Sequence, residues 1–372
     1  MTEFKKRKWL HKGAICSLCF SLVMNCSESD TGGTPDGSDQ VLTEKVWSWS
    51  QLGELPKGLS NNPVAGIEEN GECRVISAGG IEAPYSRGDI FSDGFLWSSS
   101  SDTWEATTPL PGPPRLAANG VSVGGAFYVL GGYSVGVLSE TSHDLVFRYD
   151  EVADVWEERT PLPTPVDDAL VDVWQDRYIV VVSGWSNVAN ITDVQIYDSQ
   201  TDEWSLGTPF PGVPVFGQTG AIAGDTILLV DGASSEQGFP IVRQRWIGEL
   251  DPGDFGTIAW TEMNSSLGDA TRYRAASSSV DDTTIVITGG TSTPYNFDGL
   301  RYDNDEQAFP IEESLVFDVD SKQFTFLPVE RDNPTMDHRS FAKCGSRLLI
   351  PGGMVSGLSQ SAELWVLDFK EE

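Results

Sequence analysis

The side chains best able to do chemistry in this chain are scattered: Arg87, Arg115, His143, Arg243, Tyr295, Arg301, Tyr302, His338 and Arg339, with the carboxylate Glu236 close to Arg243. Guanidinium forks match carboxylates and hydrogen-bond hydroxyl-rich molecules, so arginines converging on one place imply an anionic or polyhydroxylated ligand. The chain has only 24 Lys and Arg, which makes such convergence informative. First-strand arginines such as Arg115 and Arg339 have a second use, hydrogen-bonding neighbouring repeats. Other chemistries lack their residues. His143 and His338 come from distant repeats without paired-histidine spacing, so no metal is expected. Nucleophile elbow, phosphate-cradling loop and zinc motif are all missing, and no cofactor is implied. Carboxylate acid/base chemistry or binding alone remains.

A scaffold must hold these residues, and composition indicates its kind. Glycine (38), proline (21) and tryptophan (12) are plentiful in the 372 residues, and no long segment carries apolar residues at helical spacing. That reads as many short strands joined by turns. The formal net charge of −31 repels a phosphate backbone, which excludes nucleic acid as a partner. Otherwise the acidity reads as solubilising.

A repeat gives the architecture. With Trp49, Trp104, Trp156, Trp204, Trp260 and Phe324 in register, a pair ending in glycine follows each: Gly79-Gly80, Gly131-Gly132, Ser183-Gly184, Asp231-Gly232, Gly289-Gly290 and Gly352-Gly353. Apolar β-branched runs such as Tyr178-Ile179-Val180-Val181-Val182 precede the pairs and read as buried strands. Seven residues before the aromatic stand Tyr149-Asp150, Tyr197-Asp198 and Phe317-Asp318; turns such as Thr108-Pro109-Leu110-Pro111 come after it. This unit of about 50 residues resembles the kelch family, whose repeat is one four-stranded propeller blade. The fold implied over residues 46–372 is all-β, a six-bladed kelch-type β-propeller. Its last third strand, Leu364 to Phe369, lacks a partner that Val46-Trp47-Ser48-Trp49 supplies, so the N-terminal strand is expected to complete the last blade. Cys73 and Cys344 fall in the first and last blades, which adjoin in a ring, and a disulfide across the seam is one of their possible states.

Blade geometry puts the turns from fourth to first strand and from second to third strand on one face. From aromatic to glycine pair the spacing is 30, 27, 27, 27, 29 and 28 residues; from pair to next aromatic it is 25, 25, 21, 29 and 35. Length variation therefore crowds that face, where function lives in loops on a rigid frame. The candidate residues belong there, with Trp185 and Tyr295 as exposed aromatics.

A narrower resemblance is to the bacterial N-acetylneuraminate epimerases, or sialic acid mutarotases. It is carried by six blades, the cut through the last blade, the run Phe239-Pro240-Ile241-Val242-Arg243 leading to Gly248-Glu249-Leu250-Asp251, and the loop from Pro294 to Gly299. It implies that Arg243 meets a sugar carboxylate and that a glutamate after the fourth glycine turn accepts a proton. Ala233 stands at that place here, which leaves Glu236 as the candidate base. Two readings follow: an exported propeller binding a protein or carbohydrate through its long-loop face, or a mutarotase acting on sialic acid or a related acidic sugar. A monomer is expected.

Lys5, Lys6, Arg7, Lys8 and Lys12 precede an apolar stretch from Gly13 to Met24, which reads as an export signal. Leu22-Val23-Met24-Asn25-Cys26 resembles a bacterial lipoprotein signal, so the expected outcomes for residues 1–26 are lipidation at Cys26, ordinary cleavage or retention as an uncleaved anchor, with a lipid on Cys26 as the expected contact with membrane. Residues 27–45 read as a flexible acidic tether. Location at the periplasm or cell surface follows. Deleting residues 1–44 is expected to leave a cooperatively folding domain, whereas deletion through Trp49 should abolish the cooperative thermal transition followed by circular dichroism. Equal melting of the two truncations would refute closure by this strand.

Overall fold

The computed structural model describes residues 45–264, 271–356 and 359–371. The leader, Cys26 and the tether to residue 44 lie outside them. Six radial sheets share a four-stranded plan, as the repeat implies. Blade 3 shows why the sequence folds so. Its second strand, Tyr178–Val182, is entirely buried and pairs on both sides, with Leu170–Trp174 inside and Val194–Asp198 outside, while Glu203–Leu206 forms the solvent edge. A β-branched run suits a strand covered on both faces. The seven-residue offset is the register of the outer hairpin: Trp156 lies opposite Tyr149, Trp204 opposite Tyr197 and Phe324 opposite Phe317.

Neighbouring blades are bonded through the same residues. Indole N–H groups of Trp156, Trp204 and Trp260 donate to the carbonyls of Thr108, Thr160 and Thr208 in the preceding blade, at 2.9, 2.8 and 3.2 Å. Turn aspartates clamp the joint: Asp154 accepts from Tyr149 Oη at 2.6 Å and from the Thr108 amide at 2.7 Å, and Asp202 repeats this with Tyr197 and Thr160. Part of the acidity read as solubilising is therefore structural. The second glycine of a pair sits at positive φ and donates to the next blade, Gly132 to Val166, Gly184 to Val215 and Gly353 to Leu59.

The N-terminal strand, Lys45–Glu54, closes blade 6 as expected, antiparallel to Glu363–Glu371 with Trp49 opposite Leu367. It begins one residue before the Val46 boundary. A disulfide joins Cys73 in blade 1 to Cys344 in blade 6 and fixes the same seam covalently. Ladder and disulfide both resist opening there.

First strands line the channel, and one left-handed residue lies at or just before the start of each: Asn61, Ala117, Asp168, Gly217, Arg274 and Asp337, with φ from 49° to 73°. Amides at or next to these positions form a ring. Asp168 donates to Ala117, Gly217 to Asp168, Arg274 to Gly217, His338 to Arg274 and Asn61 to Asp337, while Ala117 donates to Asn61 Oδ1. Side chains of this ring plug the axis. Arg274 Nη2 lies 2.6 Å from Asp168 Oδ2 and Arg339 Nε 2.6 Å from Asp168 Oδ1; both guanidinium groups also face Asp337, at 3.6 and 3.4 Å. Ser60 and Asn61 donate to Asp337 as well. Removing one partner of a buried ion pair strands the other, a loss of about 3–5 kcal/mol. Asp337→Ala is expected to lower stability by that amount, read from the denaturant midpoint at unchanged slope, and a midpoint within error of the parent would refute the plug's role.

Candidate ligand recess at the channel mouth

Insertions after the second strands and lead-ins to the first strands meet at one end of the channel. There they enclose a recess of about 120 Å³ lined by Tyr133, Glu140, Asp167, Asp168, Trp185, Phe216, Phe239, Arg274, Asn296 and Tyr302. Each has a local reason for its place. Glu140 starts the short strand Glu140–Ser142, which folds back on the end of the second strand of blade 2. Asp167 and Trp185 exchange two backbone hydrogen bonds, both at 2.9 Å, which pins the indole over the blade 3 lead-in. The loop turn in which the Phe239 amide donates to the Glu236 carbonyl raises Phe239 from blade 4. Tyr302 comes from the long blade 5 insertion.

The rings make walls at steep angles. Trp185 and Phe239 lie 5.7 Å apart at 74°, Phe216 and Phe239 5.6 Å apart at 88°, and Phe239 and Tyr302 4.6 Å apart at 55°. Against them stand three carboxyls. Burial, with the Asp168 charge beside it, raises the Asp167 pKa well above the usual carboxylate range, although Ser142 Oγ donates to it at 2.6 Å. Packing on its inner side raises the Glu140 pKa too; Arg274 opposes and Asp168 adds to the shift. Arg274 is the cation in the lining, and Asp168 and Asp337 already claim it.

The opposite end of the channel is wider, about 210 Å³, lined by Gly66, Gly120, Ser122, Asp172, Ser277 and Lys343 among others. Its polar groups bond within the wall: Asp172 accepts the Val173 and Ile222 amides and Lys343 donates to Ser279. Among the described residues, the mouth sets several aromatic rings beside carboxyls in one cavity.

Known proteins agree on the scaffold. A family model described as "Kelch motif" matches residues 114–163, the whole of blade 2 with its flanks. This chain is a six-bladed β-propeller that carries a kelch motif in its second blade. Kelch-like protein 36 of Bos taurus is 27% identical over 177 residues, 47% of this chain and 28% of its own length. Beta-scruin of Limulus polyphemus is 24% identical over 208 residues, 53% of this chain and 21% of its own. The kelch propeller thus spans well under half the length of these curated relatives. A solved structure titled "Structure of YjhT" superposes with a TM-score of 0.67 at 14% identity, covering 86% of this chain and 99% of that one, a likeness of fold.

On this kelch propeller the residues named from sequence part company. Tyr302 reaches the recess. Arg339 and Tyr295 lie beneath it in the axial plug, where Tyr295 Oη donates to Asp337 at 3.4 Å. Tyr295, expected to be exposed, is fully buried, because it packs against Tyr273 at 5.4 Å under the mouth. Arg115 takes the structural option: Nε donates to the Gly131 carbonyl and Nη1 to that of Pro111, and burial lowers its pKa to about 10. Glu236, Arg243 and Arg87 are exposed outside the lining. Arg301 pairs with Asp303 at 2.8 Å within its own loop. His143 bonds Ser134, and His338 bonds Thr335 inside blade 6. Cys26 lies outside the described residues. Converging arginines therefore do not form an anion-binding mouth; carboxylates of the chain itself neutralise those nearest the axis. Glu140, Asp167, Asp168, Phe216 and Phe239 were not singled out from sequence as site residues. Only the Asp167-Asp168 pair just before a buried strand gave a usable signal, two acids where a loop turns toward the axis.

Burial, with Arg331 and Arg339 nearby, pushes the His338 pKa down to about 3 from 6.5. The unfolded chain then binds the extra proton, so stability falls as pH drops below about 6.5. His338→Gln is expected to flatten the pH dependence of the melting temperature between about pH 6.5 and 5. An unchanged slope in differential scanning calorimetry would overturn this assignment.

Proposed function

We propose that this chain is an exported binding propeller whose ligand, displayed on a protein or a glycan, docks at the long-loop mouth. The observation that carries the reading is the recess itself, where aromatic walls and carboxyls from blades 2 to 5 converge on the face that the insertions build. Recesses of mostly aromatic surface with a few oriented polar groups are the usual form of ligand sites. The basic and apolar leader supports export, and the Cys73–Cys344 disulfide supports an oxidising compartment. Attachment through a lipid on Cys26 completes the proposal.

One observation favours a second reading, the sugar mutarotase: Glu140 and Asp167 share a cavity and hold their protons more tightly than ordinary carboxyls. Such groups serve as general acids. In that reading they, rather than Glu236 with Arg243, do the proton transfer. A glycan array and a protein-display screen with the labelled chain are expected to give saturable binding that Trp185→Ala weakens by about tenfold or more. No saturable binder in either format would sink the binding reading. Freshly released N-acetylneuraminate should mutarotate at the buffer rate when followed by NMR; acceleration abolished by Glu140→Gln would establish the mutarotase instead.

A further inference from the structure

We propose that the mouth recess is a receptor for an alkylammonium group. The inference deepens the binding reading, since it names the chemistry of the group that enters. Charge comes first. Glu140, Asp167 and Asp168 face the cavity, and the guanidinium that shares it, Arg274, is already held by Asp168 at 2.6 Å and by Asp337 at 3.6 Å. An anionic ligand would find no unclaimed cation in the lining and would meet Glu140 at the rim. Asp168 is already paired and Asp167 is buried against Ser142, so the charge left for a ligand is that of Glu140. A neutral sugar leaves it uncompensated, whereas a monovalent cation gives it a counter-charge in a site where water is partly excluded.

Shape points the same way. Trp185, Phe239 and Tyr302 set rings at 55° to 74° to their neighbours, two or three walls of a box rather than one stacking platform. Ring faces are negative, and a box of them with a carboxylate at its rim is the arrangement that holds an alkylated ammonium, whose charge is spread over its methyl or methylene groups. The chain's net charge of −31 adds long-range attraction for any cation.

The group has two possible carriers, a free quaternary amine or a lysine side chain of a polypeptide. Next to the recess two hairpin tips expose Val137, Leu138 and Val188, at 82%, 97% and 86%. These hairpins are tied together: Asn187 Oδ1 accepts the Ser142 amide, and the Asn187 amide donates to Ser142 Oγ. Apolar side chains beside a cation socket suit a lysine followed by apolar residues.

The test titrates the full chain, with tryptophan fluorescence and calorimetry as readouts, against choline and against the peptide acetyl-Gly-Lys-Leu-amide. Controls are 3,3-dimethylbutan-1-ol, the uncharged isostere of choline, and the same peptide with acetylated lysine. At least one cation should bind, and its uncharged counterpart should bind at least about tenfold more weakly. Glu140→Gln at the rim should weaken the cation and spare the isostere, with Arg87→Ala unchanged; an unchanged melting temperature shows that the variants fold. Choline binding identifies a free amine as the carrier, peptide binding a polypeptide. Equal affinity for charged and uncharged partners, or no binding by either cation, overturns the ammonium assignment. If the array or display screen still gives a Trp185-dependent binder in that case, the binding reading stands without it; if it gives none, both fall.

Discussion

Everything in this propeller depends on a ring of six hydrogen bonds around the channel, passed from blade to blade by residues in the left-handed region. Each donor amide belongs to the lead-in of one blade and each acceptor to the blade before it, so the bonds fix the rotation of every blade about the axis. Left-handed backbone costs a non-glycine residue about 1 kcal/mol. Ala117 and Arg274 accept that strain because the turn it makes is what aims the next strand along the channel.

The same ring decides the electrostatics. Its charged residues turn their side chains to the axis, where they are almost fully buried, so charges must be paired with one another. Asp168, Arg274, Asp337 and Arg339 do this from blades 3, 5 and 6, and their bonds to Ser60 and Asn61 bring in blade 1. A pairing so complete removes the arginines from the list of free ligand contacts. The surface above the plug is left with acids and aromatic rings.

Outside the ring, the blades are held by contacts whose strength is ordinary and whose number is large. Indole to carbonyl, tyrosine to aspartate and glycine amide to the next lead-in are each worth about 1 kcal/mol, but they repeat around the circle. The seam needs more, since there the two ends of the chain meet in one blade and only their pairing keeps the ring closed. A whole strand ladder and a disulfide sit there.

The sequence by itself determined the repeat and its closure. Tryptophan, glycine pair and aromatic-aspartate recur at fixed offsets because they are cross-strand and cross-blade contacts with a rigid period, and an orphan strand at one end matches a gap at the other. The face on which insertions gather was legible for the same reason, from loop lengths alone. Which side chains meet at the mouth was decided only in three dimensions. Glu140, Asp167, Phe216 and Phe239 come from three blades and from loops without a common spacing, so no local pattern announces them. Nor does composition tell a free arginine from a neutralised one: Arg115 and Arg339 look alike in sequence, yet one ends on carbonyls and the other in an axial ion pair. Burial and pairing at the axis, set by the ring, made that distinction.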